Sequence, residues 1–169
     1  TGDLGEYDPN GYLFLKGRVK EVIIPAGGVN VYPDELEMRL GLLPFAEEYS
    51  VIGLKEEGSE YPVLVLKPRI EFFEKQKIPS IESFVNEKVG SVAGTWPEWE
   101  RFRKIYIIDF PLPRSASQKI QRNLVEMLIR KKFLSQESGN QKGGKFDKGG
   151  EKETSAFGYF QSVVANFLN

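Results

Sequence analysis

Almost no apolar side chain occurs between Ser135 and Ser155, and this gap confines a packed core to the residues before it. Gly, Lys and Glu fill the stretch, so it cannot bury enough surface to offset the entropy lost on ordering. The chain of 169 residues is expected to hold one domain up to residue 133, a flexible linker over 134–155, and a short apolar segment over 156–169. In that last segment Phe157, Phe160, Val163, Val164 and Phe167 form a stripe at helical spacing. It suits a terminal helix docking on the core or the start of a further module. The pattern leaves both open.

Within the first part the periodicities alternate between strand and helix. Residues 4–17 read as a β-hairpin, because Asp8-Pro9-Asn10-Gly11 is a strong turn signal. The β-branched run Val22-Ile23-Ile24 predicts a buried strand ending at Pro25-Ala26-Gly27-Gly28. A helix is expected from near Tyr32, with Pro33 at its first position and Asp34 and Glu35 at its positive end. Leu36, Leu40 and Leu43 face inward, and Pro44 is the expected stop. Tyr49–Leu54 and Pro62–Leu66 predict two strands. Ile81, Phe84, Val85 and Val89 predict a helix capped by Ser80. A strand over Lys104–Phe110, a loop over Pro111–Ser117 and a basic amphipathic helix over Leu124–Phe133 complete the series. The order predicts an α+β fold: a small mixed or antiparallel sheet with helices packed on one face, preceded by a hairpin.

The chain has neither cysteine nor histidine. Disulfides, thiol nucleophiles, Ser-His-Asp triads and the usual zinc sites are therefore excluded. A formal net charge of −1 gives no overall attraction to nucleic acid or an anionic membrane. No apolar run is long enough to span a bilayer, and a cytoplasmic location is expected.

Four local patterns remain. Thr1-Gly2-Asp3 leads into the hairpin, and Gly17-Arg18-Val19-Lys20 leaves it. Gly27-Gly28 precedes the first helix, and Pro111 to Arg122 forms a loop that carries Lys119. Taken singly, each reads as a turn or a solvated charge. Taken together, in this order and spacing, they resemble the adenylate-forming superfamily of acyl-CoA synthetases, luciferases and peptide-synthetase adenylation domains. The stretch TGDLGEYDPNGYLFLKGRVKEVIIPAGGVNVYPDELE is similar to the run joining that family's large and small domains. LPRSASQKIQR is similar to its C-terminal lysine motif.

The resemblance covers residues 1–133 and implies the C-terminal lid of a ligase of the long-chain fatty acid–CoA type. Residues 1–19 correspond to the tail of the large N-terminal adenylation domain, and 20–133 to the lid. Asp3 and Arg18 map to residues that hold the ribose of ATP or AMP, Lys20 to the hinge, and Gly27 and Gly28 to the loop beside the pantetheine arm. Lys119 maps to the catalytic lysine. The implied chemistry uses ATP with Mg2+ to make an acyl-AMP, then CoA or a carrier-protein phosphopantetheine to take the acyl group. Implied partners are the large domain and CoA or an acyl carrier protein. No nucleic acid, transmembrane segment or metal site belongs to this part. The pattern departs from the family at Gln118, where glycine is usual, and a positive φ there would strain glutamine.

Basic residues Arg101, Arg103, Lys104, Arg122, Arg130, Lys131 and Lys132 suit either the phosphates of CoA or an acidic carrier, or equally a solvated amphipathic helix face. The chain opens at Thr1, inside a motif, and reads as a piece of a longer polypeptide that is inactive alone. The competing reading is a non-catalytic, stand-alone module that docks a carrier protein or a separately encoded adenylation domain.

Overall fold

A computed structural model of the chain describes residues 2–56 and 58–134. Thr1, almost all of the expected linker over 134–155 and the segment 156–169 lie outside the described residues.

The predicted hairpin is present as β1 (Asp3–Tyr7) and β2 (Leu13–Arg18), antiparallel, with Asp3 opposite Arg18. Its turn is built by Asp8, whose carboxylate accepts the amides of Asn10 at 2.9 Å and Tyr12 at 2.8 Å. Gly11 supplies a φ of 86°. Neither face of the hairpin is buried: Tyr7, Tyr12, Leu13, Phe14 and Leu15 are all exposed.

The strand expected over Val22–Ile24 does not form. Ile23 makes one antiparallel bridge to Val31 and is buried, whereas Ile24 is exposed. The Ile24 amide goes to the Glu60 carboxylate at 3.0 Å, and Pro25 has no N–H to extend a ladder. Helix α1 (Pro33–Leu40) starts as predicted, with Pro33 at its first position. It ends at Gly41, with φ 68°, and not at Pro44. Leu43 lies past its end and still packs on the core.

Strands β3 (Ala46–Glu56) and β4 (Ser59–Pro68) pair antiparallel. The third strand, β5 (Ile105–Ile107), pairs parallel to β4 and is shorter than the predicted 104–110. The sheet is therefore mixed and small, flanked by helices and preceded by a hairpin, as the sequence predicts.

The helices do not keep to one face. Val51, Leu64 and Leu66 point into a cluster with Leu36 and Leu40 of α1, Phe73 of α2 (Ile70–Gln76), and Val85 and Val89 of α3 (Ile81–Ala93). The alternate residues Ile52, Leu54, Val63 and Val65 meet Tyr106, Ile108, Leu112, Val125 and Ile129. The last two lie on α4 (Arg122–Ile129). Tyr61–Leu66 of β4 are all buried, so both faces need a cover. Burying one such side chain is worth about 1.5–3 kcal/mol.

Helix α2 is not anticipated by the periodicity. Its Phe72 and Phe73 join Phe45 and Phe84 in an aromatic group with ring centroids 5.4 to 6.5 Å apart. Helix α3 begins as predicted, with the Ser80 hydroxyl accepting the Ser83 amide at 3.2 Å.

Candidate functional site

The segment read as a loop around Lys119 is a tight hairpin. The Ser115 amide donates to the Lys119 carbonyl at 2.8 Å, and the Gln118 amide to the Ser115 carbonyl at 2.9 Å. Arg114 bridges Ile120 across it. Gln118 takes a φ of 64°, the left-handed residue that ends a three-residue hairpin turn. The base is anchored to β3. Glu48 accepts the Leu112 amide at 2.9 Å and pairs with Arg114 at 3.0 Å. Arg114 also donates to the Gln118 carbonyl at 2.9 Å. Lys119 stands exposed at the tip, and among the described residues no carboxylate reaches its ammonium.

The positive φ at Gln118 gives a direct expectation. Gln118→Gly should raise stability by about 0.5–1 kcal/mol, because glycine has no Cβ penalty there and its extra unfolded-state entropy takes back only part of the gain. A urea midpoint that stays level or falls, at constant slope, would show the position to be unstrained.

The Gly27-Gly28 loop is a second tight turn. The Gly28 amide donates to the Pro25 carbonyl at 2.9 Å, with Gly28 at φ 72°. A Cβ on either glycine would meet nothing within 4 Å, so packing does not demand glycine there. The surface lies open to close approach. Glu60, which holds Ile24 just before the turn, lies over Gly53, where a Cβ would stand 2.6 Å from its Oε1.

Asp3 and Arg18 are brought together. Arg18 Nε lies 3.7 Å from Asp3 Oδ1, and Arg18 Nη1 lies 3.6 Å from Glu21 Oε1. The Val19 amide donates to the Gly2 carbonyl at 3.0 Å. Lys20 is exposed in a single helical turn, Val19–Glu21, that joins the hairpin to the body. Arg18, Lys20 and Glu21 line a cleft of about 740 Å3 with Glu60 and Arg122. Lys16 reaches across to Glu35 of α1 and to Glu6, each at 3.1 Å. Those two carboxylates, Glu35 first, hold its ammonium above the ordinary lysine range.

Arg122 is the residue whose role the sequence reading missed. It was grouped with phosphate-facing cations, but its side chain is only 14% exposed. It pairs with Glu21, with Asp34 at 2.5 Å and with Glu37 at 2.9 Å, and donates to the Val51 carbonyl at 3.0 Å. Burial acts to lower its pKa, and the carboxylates of Glu37 and Asp34 outweigh it, so the guanidinium sits above its ordinary value. One signal was available. An arginine that opens a helix is opposed by the helix dipole unless carboxylates surround it.

Several other cations in that group also have partners. Arg101 donates to the Trp96 carbonyl, Arg103 stacks on Tyr61, Arg130 pairs with Glu126, and Lys132 pairs with Asp109. The Lys132 partner holds the Asp109 carboxyl below the usual carboxylate range.

No helix among the described residues is long and apolar enough to cross a membrane. Among the same residues no cluster of three acidic, His or Cys side chains is placed to hold a metal ion.

No protein-family model matches the chain. The indoleacetate–CoA ligase of Aromatoleum aromaticum is 34% identical over 138 residues, which is 80% of this chain and 25% of that enzyme. The long-chain-fatty-acid–CoA ligase FadD13 of Mycobacterium tuberculosis is 44% identical over 78 residues, 45% of this chain and 15% of that protein. The crystal structure of the anthranilate CoA ligase AuaEII in complex with anthranoyl-AMP superposes with a TM-score of 0.61 at 28% identity. That superposition covers 76% of this chain and 23% of the ligase. The chain thus spans about a quarter or less of each, within their C-terminal part.

Proposed function

Because this chain belongs to the adenylate-forming CoA ligases, as a C-terminal portion of one, we propose that residues 20–133 are the mobile lid of an ATP-dependent acid–thiol ligase. The carrying observation is Lys119: an ammonium with no carboxylate partner among the described residues, held at the tip of a braced hairpin. Joining an acid to the α-phosphate of ATP brings two anions together. Lys119 offsets their repulsion and stabilises charge on the phosphoryl group in the transition state. Lysine suits the task as a point charge on a flexible stem.

The other residues fall into supporting roles. Asp3 offers a carboxylate to the ribose hydroxyls, and Arg18 assists beside it. Lys20 is the hinge, in the one turn that connects hairpin and body. Gly27 and Gly28 line the path of the thiol arm, from CoA or a carrier protein, in the second half-reaction. A rigid body that turns about one hinge serves both steps with different loops. The exposed apolar residues of the hairpin at 7 and 12–15, on both of its faces, form the surface that rests on the large adenylation domain. In this reading the magnesium of Mg-ATP belongs to the large adenylation domain. A cytoplasmic location suits these substrates.

Two experiments test the reading. The 169-residue chain alone is expected to show no ATP binding by calorimetry and no acid-dependent exchange of labelled pyrophosphate into ATP. Turnover by the chain alone would overturn the lid assignment. In the converse experiment, the matching C-terminal quarter of the Aromatoleum aromaticum indoleacetate–CoA ligase is replaced by residues 1–133. The chimera is expected to form both the adenylate and the thioester, and a folded chimera without either activity would count against the proposal.

A further inference from the structure

Arg122 is placed against the field of its own helix. It opens α4, whose first turn has no acidic residue, and the unpaired amides of a helix start repel a cation. The compensation comes from distant segments. Glu21 belongs to the turn beside Lys20, 101 residues away in the chain. Asp34 and Glu37 belong to α1, the helix that follows the glycine turn. Val51 belongs to β3, an edge strand of the three-stranded sheet. A planar guanidinium can serve acceptors in several fixed directions at once, which an ammonium on a flexible stem cannot do with the same geometry.

On its other side Arg122 is close-coupled to the lysine hairpin. It lies three residues after Lys119. The residues between are held by the Arg114–Ile120 bridge and by the Gln121 amide, which donates to the Pro113 carbonyl at 2.9 Å. Glu21 in turn faces Arg18 at 3.6 Å, so the same carboxylate touches both sides of Lys20.

We propose that Arg122 is a positioning residue that ties the lysine hairpin to the two segments flanking the glycine turn, Glu21 just past the hinge and α1, as one rigid body. The mechanical statement stands on these contacts alone. Its catalytic meaning rests on the ligase reading: the two loops must hold a fixed relation for one rotation to exchange them.

Amide hydrogen exchange on the 169-residue chain tests it without any turnover, so a failed activity assay bears on the ligase reading and not on this one. Arg122→Met is expected to speed exchange on the order of tenfold at Ser115, Gln118 and Gln121, and also at Ile23, Gly28 and Val31. Relative to the acceleration that the loss of global stability measured in urea imposes on every amide, the Leu64 amide, bonded to the Lys104 carbonyl inside the sheet, keeps its rate. Arg122→Lys retains the charge without the fork and falls between. Equal acceleration at Leu64 would reduce Arg122 to a general stabiliser and overturn the proposal. So would loosening confined to the lysine hairpin, with Ile23 and Val31 unchanged. Should Arg122→Met fail to fold, Glu21→Gln carries the test. It is expected to loosen Ser115 and Gln118, and unaltered exchange there overturns the coupling.

Discussion

Lys119→Met in the indoleacetate ligase chimera is expected to slow adenylate formation on the order of a hundredfold or more, with acyl transfer from preformed adenylate to CoA nearly unchanged. The asymmetry is the informative part. The ammonium is useful only where charge accumulates on the α-phosphoryl, and that charge is absent from the thiol step. Methionine keeps the length and apolar stem of lysine, so the hairpin remains intact and only the charge is lost. Pyrophosphate release would report the first step, and CoA-dependent AMP release from added acyl-AMP the second. Equal losses in both would mean that Lys119 acts through the shape of the lid. No loss in either would remove it from the chemistry.

The second large effect lies in the interior. Glu37→Ala is expected to destabilise the fold by about 3–5 kcal/mol. Glu37 Oε1 accepts the Val51 amide at 2.7 Å and the fully buried Ser50 hydroxyl at 3.0 Å, and Oε2 pairs with Arg122. Its removal leaves a largely buried guanidinium undercompensated and two buried donors without an acceptor. Asp34→Asn is the contrast. Asp34 also pairs with Arg122, but its side chain is 49% exposed, so water substitutes for the lost charge and the expected cost stays under about 1 kcal/mol. Urea denaturation of the two variants would compare them. Similar losses would show that the network acts through net charge and that burial has no special part in it.

Much of the chain was legible because local chemistry specifies it. The Asp8–Gly11 turn needs only the Asp8 side chain and a flexible glycine, and both sit within the turn itself. Pro33 opening α1 and Ser80 capping α3 are likewise decided by the residues next to them. The readings that failed depended on distant partners. Val22–Ile24 has the composition of a strand, yet the Ile24 amide is taken by Glu60, which no local window includes. Helix α2 is stabilised by Phe45 and Phe84, from other segments. The second helical layer follows from the unbroken apolar run of β4, a signal present in the sequence but not carried through to a two-sided sheet.

The candidate site divides in the same way. Lys119, the two glycines, Asp3, Arg18 and Lys20 were picked out by their motifs, and the structure sets each on an exposed turn or hairpin. The sequence predicted a loop at Lys119; the structure closes it into a hairpin braced by Glu48 and Arg114.

By itself the sequence determined most of its elements, the turns and caps that bound them, the family resemblance and the residues with chemistry to offer, because each follows from neighbours in the chain or from a motif. Only the tertiary structure decided that the sheet is covered on both faces and that Arg122 is an interior tie and not a surface cation. Those outcomes depend on which distant acceptors and apolar faces meet, and hydrogen bonds and burial are settled by proximity in space.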